Sequence, residues 1–293
     1  DLSEQALERA CQLDIELGNG KAAGPLHGLP VTIKVNVDQA GWPTTNGVPA
    51  LQNVVAKADA PVVTNLQNAG AIVIGRTNTP EFSFRADTDN PLHGRTQNPW
   101  GKHVSPGGSS GGAGSAVMAG IGALAHGNDI GGSLRFPAAA NGALTVKPGL
   151  GRVPAWNPSQ KAERGMLAQA MSVQGLLTRS EADLDLAMPS LVMADPRDPF
   201  HVPLPYRMAP KTSNMRVAFC KETPGFETHP EVYKALEVAA EALRDAGYNV
   251  QEVQLPMLRE TGEIGYRTLM GEVAELMEPD IRAQGSDTIQ AIF

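Results

Sequence analysis

The stretch from Ser105 to Pro137 constrains the fold most, because glycines crowd around two serine sites within it. Glycines flank the pair Ser109 and Ser110 on both sides, and two further glycines precede Ser133. Glycine takes positive φ and lets the backbone approach another group closely, as a catalytic loop often needs and a surface loop seldom does. We therefore expect closely packed loops around two serine sites, with the rest of the chain bringing groups to them.

The composition is that of a globular enzyme. The 293 residues are 42% hydrophobic and 19% charged, and the formal net charge of −7 aids solubility and disfavours a general nucleic-acid surface. Cys11 and Cys220 cannot form a disulfide framework for this length. The longest apolar run, residues 116–125, is about half of the roughly 20 residues that span a bilayer. We expect a cytoplasmic protein without a membrane segment.

Alternation predicts a strand that carries a lysine. Between Val31 and Val37 an apolar residue occupies every second position, and the intervening residues are Thr32, Lys34 and Asn36. Successive side chains of a strand point to opposite faces, so one face is apolar and the other is polar. Lys34 therefore lies on the polar face of the predicted strand.

The rest of the chain predicts alternating helices and strands. Helices are predicted over 59–69, 115–120 and 135–141, and short strands over 71–75 and 121–126. Ser133 then falls where a strand passes into a helix. Residues 148–175 are expected to be rich in loops, whereas residues 215–255 predict a βαβ unit.

Two common motifs explain the glycine-rich stretch poorly. Residues 107–111 fit the five-residue nucleophile elbow, and His201 and His229 lie downstream as candidate bases. The elbow needs an apolar strand before its serine, and residues 102–106 do not provide one. A phosphate-binding P-loop is excluded because neither Gly-Lys pair of the chain is followed by Ser or Thr.

Lys34 offers a third chemistry for these serines. A lysine can replace histidine as the base of a serine hydrolase when burial lowers its pKa. To be neutral near pH 7, Lys34 needs a pKa about three units below about 10.4, at an environmental cost of about 4–5 kcal/mol. Taken separately, each residue has a simpler structural interpretation. Lys34 would be a solvated lysine on a strand, Ser109 would be part of a flexible turn, and Ser133 would cap a helix. The spacing between them decides between these interpretations.

The spacing and the surrounding segments resemble the amidase signature family. Ser133 follows Ser109 by 24 residues and Lys34 precedes Ser109 by 75 residues, and both separations agree with that family. The family's signature is similar to residues 107–112 and 129–137, and its supporting segments are similar to residues 28–34, 75–82 and 98–100. The resemblance covers roughly residues 24–180.

The resemblance implies a fold and a set of catalytic roles. The implied fold is α/β, with a mixed central sheet surrounded by helices, in a single domain over residues 1–293 whose last part, 181–293, holds loops and the βαβ unit. Ser133 would be the nucleophile that forms an acyl-enzyme, Ser109, on a cis peptide bond, the proton relay, and Lys34 the base. An oxyanion hole would be formed by backbone N–H groups, those of Ile130, Gly131 and Gly132.

The implied activity is that of an amidase, which hydrolyses a carboxamide to a carboxylic acid and ammonia or an amine. We expect a small-molecule amide as substrate, with no metal, cofactor, nucleic acid or membrane taking part, and a homodimer as the commonest kind of assembly. Two alternatives stay open. One is the amidase subunit of a glutamine-dependent tRNA amidotransferase, and the other is a binding protein without turnover.

The chain departs from the family's pattern in two respects. Asn128 precedes Asp129 where the family commonly has a small hydroxyl residue. Because a side-chain amide also forms local hydrogen bonds, we expect the loop geometry to be kept. Members of the family are longer than this chain, so the resemblance implies that N-terminal helices and a C-terminal part of the fold are missing from it.

Overall fold

The computed structural model describes residues 2–160, 165–206, 215–222 and 225–293. The chain divides into two compact units, the first formed by Asp1–Tyr206 with Val273–Phe293 and the second by Arg207–Glu272. Lys34 and both predicted serine sites belong to the first unit.

Helices and strands alternate through most of the chain. The helices are α1 (Ser3–Gly18), α2 (Pro61–Asn68), α3 (Gly111–Met118), α4 (Arg135–Asn141), α5 (Met166–Met171), α6 (Glu181–Leu191), α7 (Pro230–Asp245), α8 (Leu258–Leu276), α9 (Glu278–Gln284) and α10 (Asp287–Gln290). The strands are β1 (Pro30–Lys34), β2 (Ile72–Thr77), β3 (Leu124–Asp129), β4 (Leu144–Thr145), β5 (Val173–Thr178), β6 (Arg216–Phe219) and β7 (Asn249–Glu252).

A mixed five-stranded sheet lies at the centre of the first unit, which confirms the expected α/β class. The strand order is β2-β1-β3-β5-β4, in which β1 is parallel to β2 and β3, and β5 is antiparallel to β3 and β4. Because β1, β2 and β3 run in one direction, their carboxyl ends share one edge of the sheet. Lys34, Thr77 and Asp129 therefore end three neighbouring strands at the edge where α/β proteins commonly bind ligands.

Apolar side chains cover both faces of the sheet. On one face, strands β1, β3 and β5 pack against α2 and α6 through Ile33, Leu66, Leu124, Leu176 and Leu191. On the other face the contacts are made by smaller residues of α3 and α4 with β3 and β5, namely Ala113, Val117, Ala125, Ala138 and Leu177. Small side chains let α3 and the loop before it lie close to the sheet.

Strand β1 ends earlier than its alternation predicts. Lys34 is its last residue, whereas the prediction continued the strand to Val37. The Val37 N–H donates back to Lys34 O at 3.1 Å and closes a turn, while the Val35 N–H still reaches Thr77 O of β2 at 3.0 Å. The apolar positions beyond Lys34 are therefore buried in a turn, not in a strand.

Helix α5 and the start of strand β5 occupy part of the stretch that was expected to be loops, so that prediction is wrong there. All six residues of β5 are buried, so a strand of this kind shows no alternation in the sequence. Gln174 Oε1 is hydrogen-bonded to Nε2 of the buried His126 ring at 2.9 Å. A Cβ on Gly175 would lie 2.6 Å from Leu134 Cδ1. An internal amide and a glycine thus hide a central strand.

Contacts within the first unit join the end of the chain to a turn beside the sheet. Glu81, in a short 3-10 turn over Glu81–Ser83, is 2% exposed. Its carboxylate accepts a hydrogen bond from the Ser286 N–H at 2.9 Å and another from the Ser286 hydroxyl. The rings of Phe84 and Phe293 meet edge to face at 5.1 Å. A buried carboxylate therefore depends on a residue 205 positions away.

The second unit contains the predicted βαβ arrangement. Strands β6 and β7 pair in parallel, and helix α7 connects them in the sequence. His229 Nδ1 accepts the Glu231 N–H at the start of α7, where Pro230 occupies the first helical position. In the part of the chain that the structure describes, no helix is long and apolar enough to span a membrane.

Removing the side chain of Leu176 tests the assignment of β5 as a central strand. Leu176 is 0% exposed, so Leu176→Ala should lower the free energy of unfolding by about 2–5 kcal/mol through lost contacts and a cavity. Leu186→Ala is the matched control, because Leu186 is 48% exposed and should change the value by less than about 0.5 kcal/mol. Urea unfolding measures both. Equal losses in the two variants would contradict a buried β5.

Candidate active site

Lys34 ends β1 at the edge of the sheet where the three parallel strands end. Its side chain is 0% exposed. Burial lowers the pKa of its amine from 10.5 to about 7, against a smaller opposing effect of the Asp129 carboxylate. A substantial fraction of such a lysine is neutral at pH 7, so Lys34 can accept a proton there.

Two polar side chains contact the Lys34 amine. Lys34 Nζ lies 2.7 Å from Ser109 Oγ and 2.8 Å from Asn128 Oδ1. These residues are 75 and 94 positions from Lys34. The pairing of β1 with β3 brings Asn128 to Lys34, and the loop before α3, which is bonded to β3 through Ser110, brings Ser109. Ser109 is itself only 2% exposed, so its contact with Lys34 is shielded from water and is electrostatically stronger for that reason.

Ser109 and Ser110 are neighbours with different partners. The peptide bond between Gly108 and Ser109 is cis. Ser110 Oγ donates to Asn128 O and accepts the Asn128 N–H, both at 3.3 Å, and the Ser110 N–H donates to Ser133 O at 3.2 Å. Ser110 therefore ties the loop to β3 and to Ser133, whereas Ser109 faces the amine.

Gly127 allows this close approach of the loop to β3. A Cβ on Gly127 would lie 2.8 Å from Ser110 Oγ, a distance that real Cβ atoms essentially never show. Gly127 lies in the middle of β3, where a glycine without a packing reason would weaken the strand. Its place in the sequence is thus explained by the serine loop that crosses it.

Side-chain amides hold the loop that leads to Ser109. Asn98 Nδ2 donates to Ser105 O and to Ala140 O at 2.9 Å. Asn141 Nδ2 donates to Pro106 O at 2.8 Å. These bonds satisfy carbonyl groups that an irregular segment would otherwise leave unpaired. The loop is thereby attached to α4, the helix that begins just after Ser133.

The Asp129 carboxylate organises the loop between β3 and α4. Asp129 accepts the Gly132 N–H at 2.8 Å and the Leu134 N–H at 2.9 Å, and Arg135 donates to it from Nε at 3.1 Å and Nη2 at 2.9 Å. Burial acts to raise the pKa of Asp129, but the hydrogen bonds from Arg135, Leu134 and Gly132 outweigh it, so the pKa lies below its ordinary value. A charged carboxylate therefore fixes the turn.

The turn leaves some of its N–H groups available. Gly132 has φ of 122°, which favours glycine, and its N–H is already taken by Asp129. Within the described residues, the N–H groups of Ile130, Gly131 and Ser133 have no hydrogen-bond partner. Two of the three predicted oxyanion donors, Ile130 and Gly131, thus have a free N–H, whereas that of Gly132 is committed.

Ser133 is half-buried at the start of the turn into α4. The structure joins Lys34 to Ser109 directly, and it brings Ser133 to that pair through the backbone of Ser110. The Ser133 hydroxyl makes no hydrogen bond to the described residues. Its side chain is therefore available to a bound molecule.

The histidines considered as bases of a nucleophile elbow have other surroundings. His229 accepts a backbone N–H at the start of α7, and the backbone N–H of His201 donates to Asp198 O. Neither ring is hydrogen-bonded to Ser109. Among the residues that the structure describes, no group of three His, Cys, Asp or Glu side chains is arranged to hold a metal ion.

Sequence reasoning missed the amides and hydroxyls behind Asn128. Asn128 Nδ2 donates to Asn36 Oδ1 at 2.9 Å, and Asn36 Nδ2 donates to Ser83 Oγ at 2.9 Å. The alternation around Lys34 contained a signal, because Asn36 shares the polar set of positions with Lys34. Ser83 carried no such signal, since it lies in a turn 47 residues from Asn36.

The family model described as Amidase matches residues 2–292, and the chain belongs to the amidase signature family. It is 55% identical over 257 residues to an indoleacetamide hydrolase of Bradyrhizobium diazoefficiens. This match covers 87% of this chain and 49% of that protein. It is 36% identical over 260 residues to a subunit of the glutamyl-tRNA(Gln) amidotransferase of Heliobacterium modesticaldum, with 86% of this chain and 52% of that protein covered.

A solved bacterial aryl acylamidase of the amidase signature family has the same fold. It matches with a TM-score of 0.84 at 27% identity, covering 98% of this chain and 62% of that structure. The chain thus spans about half the length of the relatives it matches. The central sheet and the segments that carry Lys34, Ser109 and Ser133 lie within the matched range.

The lowered pKa of Lys34 predicts how stability depends on pH. Unfolded Lys34 has a pKa of about 10.4 and folded Lys34 one of about 7, so between these values the unfolded chain binds more protons. The free energy of unfolding should therefore rise with pH across this window relative to Lys34→Met, by about 4–5 kcal/mol at most. Urea unfolding at pH 6 to 10 measures the difference.

The matched control for this measurement is Lys57→Met, because Lys57 is exposed. That replacement should change the free energy of unfolding by less than about 0.5 kcal/mol at each pH. A constant difference between the wild type and Lys34→Met over the whole range would show that Lys34 does not titrate in the folded protein as its burial requires.

Proposed function

We propose that the chain carries the catalytic centre of an amidase, which hydrolyses a carboxamide through an acyl-enzyme on Ser133. The observation that carries this proposal is the buried contact of 2.7 Å between Lys34 Nζ and Ser109 Oγ. A lysine whose pKa is lowered to about 7 by burial is suited to act as a base. Membership of the Amidase family supports the same reaction.

In the proposed acylation step, Ser133 Oγ attacks the amide carbon while its proton passes to Ser109 Oγ. Ser109 gives its own proton to neutral Lys34, so the relay ends with one ammonium group. The burial of Ser109 and the fixed contact with Lys34 favour this role, because a relay must stay within hydrogen-bonding distance of its base. Ser110 is assigned no proton, since its hydroxyl is bonded to the backbone of β3.

Negative charge develops on the carbonyl oxygen during this attack. We place it against the free N–H groups of Ile130, Gly131 and Ser133, while Gly132 supplies the turn that aims them. Preorganised donors of this kind are worth about 3–4 kcal/mol each in the transition state. Asp129 keeps the loop in this shape by binding the Gly132 N–H.

The tetrahedral intermediate then collapses and the carbon–nitrogen bond breaks. The proton held by Lys34 returns through Ser109 to the leaving nitrogen, which departs as ammonia or an amine. In the second half of the reaction, water attacks the ester carbon of the acyl-enzyme and loses its proton along the same relay. The ester bond to Ser133 breaks, Ser133 regains a proton, and a carboxylic acid is released.

For the substrate we propose the primary amide of an arylacetic acid. The support is the 55% identity to a protein named indoleacetamide hydrolase, together with the fold shared with an aryl acylamidase. The alternative of a tRNA amidotransferase subunit is less well supported, because the identity to that subunit is 36%. Four further points stay predictions. They are one catalytic domain over residues 1–293, a cytoplasmic location, assembly as a homodimer and the lack of a nucleic-acid partner.

Replacing the nucleophile tests the acyl-enzyme directly. Ser133→Ala should abolish covalent labelling by a fluorophosphonate, because the trap reacts with the activated serine itself. Mass spectrometry of the intact chain measures the added group. Ser190→Ala is the matched control, since Ser190 is a serine in α6, outside the candidate site, and labelling of this variant should equal that of the wild type. Undiminished labelling of Ser133→Ala would contradict the proposal.

The proposed base predicts the pH dependence of hydrolysis. Only neutral Lys34 accepts the relayed proton, so kcat/KM should rise with pH around a midpoint near 7 and level off above it. Lys34→Ala should lower the plateau by about 10⁴-fold. Hydrolysis of indoleacetamide from pH 5 to 9 measures both, with Lys102→Ala as the control at an exposed lysine. A wild-type profile that is flat between pH 5 and 9 would exclude Lys34 as the base.

A further inference from the structure

Asn128 is the second polar group on the Lys34 amine. Its Oδ1 accepts a hydrogen bond from Lys34 Nζ at 2.8 Å, close to the 2.7 Å that separates Nζ from Ser109 Oγ. Lys34 is fully buried, so water does not replace either contact. The orientation of the amine is therefore decided by Ser109 and Asn128 together.

The two contacts have different chemical freedom. A neutral amine has two N–H groups and one lone pair, and a carbonyl oxygen can only accept. Asn128 Oδ1 must therefore take an N–H of Lys34. The Ser109 hydroxyl can donate as well as accept, so it can face the remaining lone pair. An acceptor at residue 128 thus directs the lone pair of Lys34 to the proton it is to receive.

Asn36 fixes which end of the Asn128 amide faces the lysine. Asn128 Nδ2 donates to Asn36 Oδ1 at 2.9 Å, and Asn36 Nδ2 donates back to Asn128 Oδ1 at 3.3 Å. This reciprocal pair leaves the oxygen end of the Asn128 amide facing Lys34. Asn36 is oriented in turn by Ser83, whose Oγ accepts from Asn36 Nδ2 at 2.9 Å and donates to Asn46 Oδ1 at 2.7 Å. Because a hydroxyl has one proton, Ser83 must accept from Asn36.

We propose that Asn128, held by Asn36, is the positioning residue that aims the lone pair of Lys34 at Ser109. This inference rests on the proposed function, because it concerns the base of that reaction. A hydroxyl at this position could rotate and either donate to Lys34 or accept from it. The amide cannot rotate without losing its bond to Asn36, so Asn128 keeps the amine in one orientation.

The pH profile separates this role from a merely structural one. Leucine has nearly the same shape as asparagine but no acceptor. Asn128→Leu should therefore lower the plateau of kcat/KM by about 100-fold. Asn128→Asp keeps an acceptor oxygen and adds a negative charge beside the ammonium group. Its plateau should stay within about fivefold of the wild type, while the midpoint moves up by about 1–3 pH units.

Asn36→Ala tests the same role from a residue that does not touch Lys34. It frees the Asn128 amide to turn its N–H₂ group toward the lysine, and it should lower the plateau by about tenfold. Asn65→Leu is the matched control, because Asn65 is a buried amide that donates to Leu191 O and Met193 O. This control should lower the melting temperature and leave the plateau and the midpoint unchanged.

Several results would overturn the inference. One is a wild-type plateau in Asn128→Leu, and another is equal losses in the Leu and Asp variants with an unmoved midpoint. If Asn128→Leu does not fold, Asn36→Ala decides, and an unchanged plateau in that variant refutes the role of Asn128.

Failure of the proposed function has a different signature. If the wild type neither hydrolyses indoleacetamide nor is labelled at Ser133, the proposed reaction fails. The contact of Asn128 with Lys34 is then tested without turnover, by urea unfolding across the pH range. The measured quantity is the pH at which the free energy of unfolding begins to rise relative to Lys34→Met. That pH should be higher in Asn128→Asp than in the wild type, and an unchanged value would refute the contact between Asn128 and Lys34.

Discussion

The burial of one amine is the constraint on which the rest of this structure depends. A fully buried lysine is costly to keep charged, and the fold supplies hydrogen-bond partners from two other segments to make it tolerable. The parallel arrangement of β1 and β3 brings those segments to one edge of the sheet. Gly127 of β3 serves the same end, since a side chain there would collide with Ser110 of the serine loop.

Much of this site could be predicted from the sequence, because its chemistry lies in residues with unusual neighbours. Glycines marked both serine sites, and the alternation around Lys34 placed it on the polar face of a strand. The network behind Asn128 could not be predicted in the same way. Asn128 and Asn36 are 92 residues apart, and their bond exists only because two strands pair. The orientation of an amide is a tertiary property.

The errors in the predicted fold have a common physical cause. A central strand is buried on both faces, so β5 lacks the alternation by which a half-buried strand is recognised. Val35 and Val37 continue the apolar alternation beyond Lys34, but hydrogen bonds there close a turn. In both places the pattern of hydrophobic residues leaves the backbone conformation undetermined, and in β5 the buried Gln174 and Thr178 are not hydrophobic at all. The paired strands decide the conformation.

The contact between Glu81 and Ser286 connects residues near position 286 to the hydrogen bonds around Lys34. Ser83, which orients Asn36, belongs to the same short turn as Glu81. If Ser286 moved away, Glu81 would be left as a buried carboxylate without these hydrogen bonds, and the turn would have to rearrange to hydrate it. That rearrangement would reach Ser83 and Asn36, and through them the contacts of the Lys34 amine. Ser286, between α9 and α10, thus helps to hold the Lys34 amine in place from the opposite part of the sequence.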